Sequence, residues 1–517
     1  MTDVAWAAPG PGHWGLELSH FGGKFTPLYA AVYAPGQNGG MATALERYGL
    51  AARTYEIRFV NHRPYTRIAP LFEPPGRLAS RQPPGAMVWV LSRVHPAFRR
   101  RRKAAVRAFA EKAWEEDARR WAALKPVMIE TQLALQDEPI ESLDAAALAA
   151  HVERACANVA DGVRVHFELA AASGAPVGDL VMACRAWGFT DAEAVSLLEG
   201  ASPASAETAA WVRDHTVDDY LRRFGWRVIT SYDIDGRTLC EMPELVTAAF
   251  EQARHGAAPV DAGSRIASLR DRVPGADRAR FDELVRDART GYGVRDDNAG
   301  VTLQWTAGLL RRAALEAGRR LVIAGRLDAP EHTFELQPSE LRALILGAPE
   351  PSREAVAARA ADRARLTALD APEGLGPDEP LPPFEMLPKP LARMAMTMVV
   401  AFELMNTAPQ QEELCGTGVG SGVVKGVARV ATTPDDAIAR LEPGDVLVAP
   451  FTTPAYNAVL PIVGALVVEE GGALSHAAIV ARELGIPAVI GAVRAVQLIP
   501  DGAQVEVDPE AGRIRVL

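Results

Sequence analysis

Between about residues 95 and 370 apolar positions recur every three or four residues, the spacing of helices that bury one face. "AFRRRRKAAVRAFAEKAWEEDARRWAALKPVMIETQLAL" (97–135) reads as one long helix, and "DAAALAAHVERACANVADGV" (144–163) as a second. "TAGLLRRAALEAGRRLVIAGRL" (306–327) repeats the same Ala/Leu/Arg texture. Residues 1–90 are punctuated by Pro, Gly and aromatics, a pattern that favours irregular segments and short strands. Residues 371–390 hold seven prolines and read as a linker or surface strap, followed by a short apolar helix over 391–406. From about 412 the pattern changes to short β-prone runs: "GVARVA", "DVLVAP", "GALVVEE", "PAVIGA", "QVEVD" and "RIRVL". Helical stretches at "PDDAIARL" and "SHAAIVARELG" interrupt them, so a compact β/α domain is expected there. The expected organisation is a large, mainly α-helical domain over 1–370, a Pro-rich linker over 371–411 and a small domain over 412–517.

Composition changes this picture little. The chain has 517 residues, with 48% hydrophobic and 23% charged content, which suits about three globular domains. A formal net charge of -10 argues against nucleic acid or an anionic membrane as main partner. The basic run Arg99–Lys103 precedes many acids in the same helical pattern and reads as a solvated face. Cys156, Cys184, Cys240 and Cys415 are widely spaced, without CxxC pairs, which points to a reducing cytoplasm rather than a disulfide or zinc framework. No signal-peptide pattern opens the chain, and the apolar run "MAMTMVVAF" (394–402) is too short to span a bilayer.

The candidate chemistry lies in "VVEEGGALSHAAIVARELGIPAVIG" (467–491). Ser475 is a good N-cap, and Gly485 with Pro487 supplies a helix stop. His476 then falls in the first turn, where unpaired N–H groups and the positive helix end meet. That field disfavours the imidazolium, which keeps the ring neutral and nucleophilic, and the same N–H groups can receive phosphoryl oxygens. Gly471 and Gly472 permit positive φ and leave room for a reactant. The plain alternative is a capped surface helix without chemistry.

The whole string resembles the phosphohistidine motif of the swivelling β/β/α domain of phosphoenolpyruvate-utilising enzymes. These include phosphoenolpyruvate synthase, pyruvate phosphate dikinase, rifampin phosphotransferase and phenylphosphate synthase. "GTGVGSGVVKGVARV" (416–430) resembles the opening of that domain, and "DVLVAPFTTPAY" (445–456) its central strand and loop. The resemblance implies that His476 is phosphorylated during turnover, with Gly471, Gly472 and Ser475 in support. Leu474 stands where dikinases usually have Thr, and the "GGALSH" form is closer to the rifampin phosphotransferase and phenylphosphate synthase branch.

The preceding residues resemble the rifampin phosphotransferase substrate domain more loosely, in "PGHWGLELSHFGGKFTPL", "YLRRFGWRVITSYDI" and "AGRLDAPEHTFELQPSELRAL". In "YGVRDDNAGVTLQW" (292–305) Arg295 matches an arginine that the family holds near the transferring phosphoryl group, whereas Ala299 replaces the family's lysine. An arginine suits the equatorial oxygens of that group. Asp296 and Asp297 could orient Arg295, accept a substrate proton, bind magnesium, or simply cap a helix N-terminus. Arg227 and Arg237 read as partners of nearby acids, with Arg227 also a substrate-binding candidate. His20 and His62 read as core or loop histidines, His20 being a further substrate-binding candidate. Trp14, Phe21, Trp226 and Trp305 could line an aromatic-accepting pocket or pack in the core.

No GxxxxGK[ST] loop, no ATP-grasp-like stretch and no barrel for phosphoenolpyruvate is recognisable in the sequence. The expectation is therefore the histidine- and substrate-bearing subunit of a two-component phosphotransferase. ATP and Mg2+ would be bound mainly by a separate ATP-grasp-type subunit, AMP and phosphate leaving if the dikinase pattern holds. The acceptor would be a small-molecule hydroxyl, phenolic or otherwise aromatic as in phenylphosphate synthase. The alternatives are a phosphoenolpyruvate or pyruvate phosphotransfer enzyme, and a non-enzymatic phosphocarrier or regulator.

Overall fold

The computed structural model describes residues 4–17, 24–71, 85–201, 211, 214–244, 246–247, 250, 262–378, 384–406, 413–452, 456, 459–473 and 475–517. Most of the chain before residue 406 is helical. The helices that matter for the site are α1 (Pro27–Tyr48), α2 (Pro96–Ala110), α3 (Ala113–Asp137), α4 (Ala145–Glu168), α5 (Ala170–Ala186), α6 (Asp191–Ser196), α7 (Val217–Phe224), α8 (Arg278–Ala299), α9 (Thr306–Ile323) and α10 (Lys389–Asn406). A π-helical turn, Gly300–Trp305, joins α8 to α9 without ending the helix.

Residues 1–90 depart from the irregular reading, because α1 runs for 22 residues there. Pro35, Gly36, Gly39 and Gly40 look like breakers, but two of these glycines serve packing. A Cβ on Gly36 would come within 2.7 Å of the Ala160 carbonyl, and one on Gly40 within 2.4 Å of that of Arg164. The backbone of α1 can therefore lie directly on α4. Thr26 caps the helix start, with Pro27 at the first helical position, where its missing N–H is harmless. Tyr29, Val32 and Tyr33 continue the same stripe and, with Leu28, enter the main core beside Val152, Val159, Leu310 and Phe334.

The long pattern over 97–135 is likewise not one helix. It breaks at Lys112, whose φ of 51° turns the chain between α2 and α3. The Lys112 ammonium is held there by Glu283 at 2.7 Å and Asp287 at 2.9 Å, both on α8. Ala145–Ala186 is apolar enough by composition to cross a membrane, but most of it is buried inside the helical core. All four cysteines are free thiols.

Short strands β1 (Trp14–Leu16), β2 (Ala52–Val60), β3 (Arg63–Pro70) and β4 (Gly374–Leu375) form an antiparallel sheet in the order β2-β3-β1-β4. The start of the Pro-rich stretch is thus tied back to the N-terminal region, Gly15 opposite Gly374 and Trp14 opposite Leu375. Beyond it, α10 packs into the helical body. Leu391 and Met394 are buried, and Arg393 bonds Asp179 of α5 at 2.6 Å.

The C-terminal sheet has seven strands in the order β11-β10-β6-β7-β8-β9-β5. They are β5 (Thr417–Val419), β6 (Val424–Val430), β7 (Val446–Ala449), β8 (Ala465–Val468), β9 (Ala488–Ile490), β10 (Gln504–Asp508) and β11 (Arg513–Val516). Strands β6 to β9 are parallel, and β7 and β8 are buried on both faces. Two-sided burial explains why "VLVA" and "ALVV" are continuous apolar runs rather than alternating ones. Helices α11 (Pro434–Arg440) and α12 (His476–Leu484) flank this sheet.

Candidate functional site

The loop between β8 and α12 carries the histidine. Gly471 has φ +114°, and a Cβ there would meet the Ser475 side chain at 2.8 Å, so only glycine fits. The Ser475 N–H donates to the Gly472 carbonyl at 2.9 Å, which closes the turn. The Ser475 hydroxyl then accepts from the Ala478 N–H at 3.4 Å as an N-cap, and His476 is the first helical residue. Gly485, at φ 66°, ends the helix. Leu474 lies outside the described residues.

The His476 ring is oriented by Thr452, which lies just beyond β7. Nδ1 and the threonine Oγ1 are 3.0 Å apart, and Thr452 is buried. In the tautomer whose Nδ1–H donates to Thr452, the nucleophilic lone pair resides on Nε2. Thr452 was not singled out in the sequence; its only signal is its place in "DVLVAPFTTPAY".

The same loop is docked on the helical domain. Ala473 and Ile479 share a core with Val181, Val195, Leu198 and Tyr292. Arg482, in the last turn of α12, is buried among these residues. Its guanidinium donates to the Ala473 carbonyl and lies 4.0 Å from Glu199, and both charged side chains are over nine-tenths buried. Burial pulls the Arg482 pKa below its usual value, while Tyr292 and Glu199 oppose that shift. A second contact joins α11 to residues 229–242. There Arg237 pairs with Asp435 at 3.0 Å and Ile438 packs on Ile229 and Met242.

Tyr292 belongs to α8, which also carries the "RDDN" residues. They occupy the C-terminal part of a 22-residue helix, so the reading of an acidic N-terminal cap is wrong. Asp297 is buried and accepts from the Trp121 indole at 2.7 Å and the Lys125 ammonium at 2.8 Å, both on α3. Its oxygens are committed to those groups, which does not suit magnesium. Asn298 accepts from His166 Nδ1 on α4 and donates to the Val294 carbonyl at 2.8 Å. Arg295 is half-buried and has no ion pair or side-chain hydrogen bond among the described residues. The helix places Asp296 beside it, although its side chain is outside the description.

The remaining candidates separate. Trp305 is fully buried and donates to Gln136 at 3.0 Å, so it is a core residue. Trp14 is equally buried, in the small N-terminal cluster with Tyr65 and Leu375. The four aromatics expected to share a pocket are therefore not gathered: Trp226 packs near Trp305, and Phe21 lies outside the described residues. His20 is also outside them. Arg227 has no acidic partner among the described residues, contrary to expectation, and is instead sandwiched between Phe224 and Trp305. Among the described residues no cluster of three or more His, Cys, Asp or Glu could hold a metal ion.

Comparison with known proteins agrees with this geometry. Residues 441–512 match the family described as PEP-utilising enzyme, mobile domain. A rifampicin phosphotransferase of Streptomyces sp is 29% identical over 361 residues, covering 63% of this chain and 38% of that protein. A rifampicin phosphotransferase of Bacillus cereus is 44% identical over 106 residues, 20% of this chain and 12% of that protein. YvkC of Bacillus subtilis, an uncharacterized phosphotransferase, is 26% identical over 312 residues, 58% of this chain and 36% of that protein. The chain thus spans less than two fifths of the length of the curated relatives it matches.

Proposed function

We propose, for a chain whose C-terminal domain is a mobile domain of the phosphoenolpyruvate-utilising enzymes in the rifampicin phosphotransferase branch, that His476 is a phosphoryl shuttle. The observation that carries the proposal is the seating of His476 at the start of α12 with Nδ1 on Thr452. This arrangement presents Nε2 as nucleophile and the helix N–H groups as an oxyanion cradle. Nε2 attacks the phosphorus of the donor and a P–N bond forms as the donor's leaving group departs. In the second half-reaction an acceptor oxygen attacks the same phosphorus and the P–N bond breaks. The hydroxyl proton passes to a base, and the imidazole regains its lone pair.

The donor is proposed to be ATP with Mg2+, held by an ATP-grasp-type unit outside these 517 residues. Magnesium would neutralise charge on the ATP phosphates during the first half-reaction. Among the described residues no group of three or more His, Cys, Asp or Glu is placed to hold a metal ion, and no step here runs through it. The helical domain is proposed to receive the acceptor, a hydroxyl compound of aromatic character, with Arg295 bracing the charge that develops in transfer. In the docked arrangement α12 meets α8 at Tyr292, one helical turn from Arg295.

The test combines this chain with its ATP-binding unit and ATP labelled at the β or γ position. Acid-labile label is expected on His476, and none in His476→Ala. Equal labelling of the variant would sink the mechanism.

A further inference from the structure

The surroundings of three arginines near the π-turn differ in one respect. Arg311 pairs with Glu241 at 2.8 Å and donates to the Ile234 carbonyl at 2.9 Å. Arg312 donates to the carbonyls of Gln136 and Glu138, at 2.7 and 3.0 Å. Among the described residues Arg227 has no carboxylate or carbonyl within hydrogen-bonding distance, and Asp297 acts on it only at longer range. Its Nε is shut off from solvent with no hydrogen-bond partner, and among the described residues its guanidinium makes no ion pair. The flanking rings, Phe224 at 4.4 Å and Trp305 at 5.2 Å, hold its plane without satisfying its donors. Buried polar groups in folded proteins are nearly always bonded, whereas this half-buried guanidinium has no direct hydrogen-bond acceptor among the described residues. Its terminal nitrogens, not shut off as Nε is, are open to an incoming acceptor.

The position of Arg227 says where that ligand lies. A Cβ built on Gly300 would stand 3.6 Å from its terminal nitrogen, so the guanidinium rests against the first residue of the π-turn. Such turns interrupt the helical ladder and are frequent at functional sites. Arg295, also without an acid among the described residues, lies five positions earlier on the same helix, about 7.5 Å along its axis. Tyr292, a further turn back, touches the docked histidine domain. The order along α8 is therefore the histidine domain, then Arg295, then Arg227.

We propose that Arg227 binds an anionic group, a carboxylate or phosphate, carried by the acceptor itself. The acceptor is then an anionic hydroxy compound whose charge sits at the Gly300 level, beyond Arg295 along the helix axis. This assignment rests on the reading that the helical domain receives the acceptor. The two-pronged donor face of the guanidinium suits a planar carboxylate or a phosphate edge, and the rings beside it suit an aromatic body.

The test is equilibrium binding to the full chain without donor, by calorimetry, using 4-hydroxybenzoate, phenol and inorganic phosphate. Arg227→Met and Arg227→Lys are compared with wild type, with circular dichroism confirming the fold. Wild type is expected to bind 4-hydroxybenzoate at least about tenfold more tightly than phenol, the worth of one charge-assisted hydrogen bond. Arg227→Met loses that preference, and Arg227→Lys, which keeps charge but not the fork, loses part of it. Three results overturn the proposal: no saturable binding of either anion, a carboxylate preference that survives Arg227→Met, or Arg227-dependent binding of inorganic phosphate alone. The last would assign Arg227 to the transferring phosphoryl group. Labelling of wild-type His476, measured in parallel, tests the shuttle separately, because none of these binding arms requires it.

Discussion

At Ser475 a helix begins, and at Gly300 a helix is disturbed without ending. Both places gather the candidate chemistry, but they are built in opposite ways. The histidine loop satisfies its polar groups from within: Gly472 closes the turn, Ser475 caps the helix and Thr452 reaches across from the next strand end. The α8–π junction recruits distant elements. Asp297 is held by Trp121 and Lys125 of α3, Asn298 by His166 of α4, and the Val301 carbonyl by Gln132 at 3.2 Å. A site assembled from nearest neighbours can move as a unit, whereas one assembled from three helices can only receive. That difference matches the division of labour proposed for them.

The comparison can be broken experimentally. The largest effect is expected from His476→Ala, with phosphoryl incorporation falling to background by mass spectrometry under alkaline conditions. Asp297→Ala removes the shared acceptor of the Trp121 indole and the Lys125 ammonium, and should lower stability by about 3 kcal/mol in denaturant titration. If that cost were near zero, the junction would not depend on its tertiary partners. Thr452→Val removes the Nδ1 partner and should slow His476 labelling by about tenfold, the worth of one hydrogen bond. Thr452→Ser should restore most of the rate in a single-turnover assay.

Ser475→Ala deletes one cap and should cost about 1 kcal/mol, clearly less than Asp297→Ala. The smallest effect is a pH dependence far from both regions. Asp117 is buried between Tyr48 and Arg47, and burial raises its pKa above the usual carboxylate range despite the tyrosine hydrogen bond and the arginine. Its folded-state pKa exceeds the unfolded one, so its contribution is fully present below about pH 4. That contribution is lost as pH rises through the folded value. Melting temperatures of wild type and Asp117→Asn should therefore diverge upward from pH 4, the variant gaining relative to wild type.

The unequal legibility of the two regions has the same origin. Caps, stop glycines and alternation are short-range rules, so α12 is readable from Ser475 to Gly485 in the bare sequence. The parallel strands of the C-terminal sheet are readable for a similar reason, since burial on both faces forces unbroken Val and Leu runs. Asp297 has no such signal. Its partners are more than 170 positions away, and nothing within a helical turn of it announces Trp121 or Lys125. The same holds for α1, whose glycines mean close packing only once α4 lies against them. At Lys112 the helix break depends on two acids supplied by α8. Arg227 and Arg237 illustrate both outcomes for one residue type, Arg237 finding its acid on the other domain and Arg227 finding rings instead.

The anchoring of α10 has a geometric consequence. Arg393 pins that helix to α5, and its final residue, Asn406, is joined to Glu413 by only seven chain steps. Seven chain steps can span at most roughly 25 Å, which bounds how far Glu413 can stand from the packed end of α10. For the shuttle proposed above, such a bound would keep the carrier at high effective concentration over its receiving site and make delivery an intramolecular event. The same bound would limit where the proposed donor can meet the domain, because Glu413 cannot leave that radius while α10 stays packed.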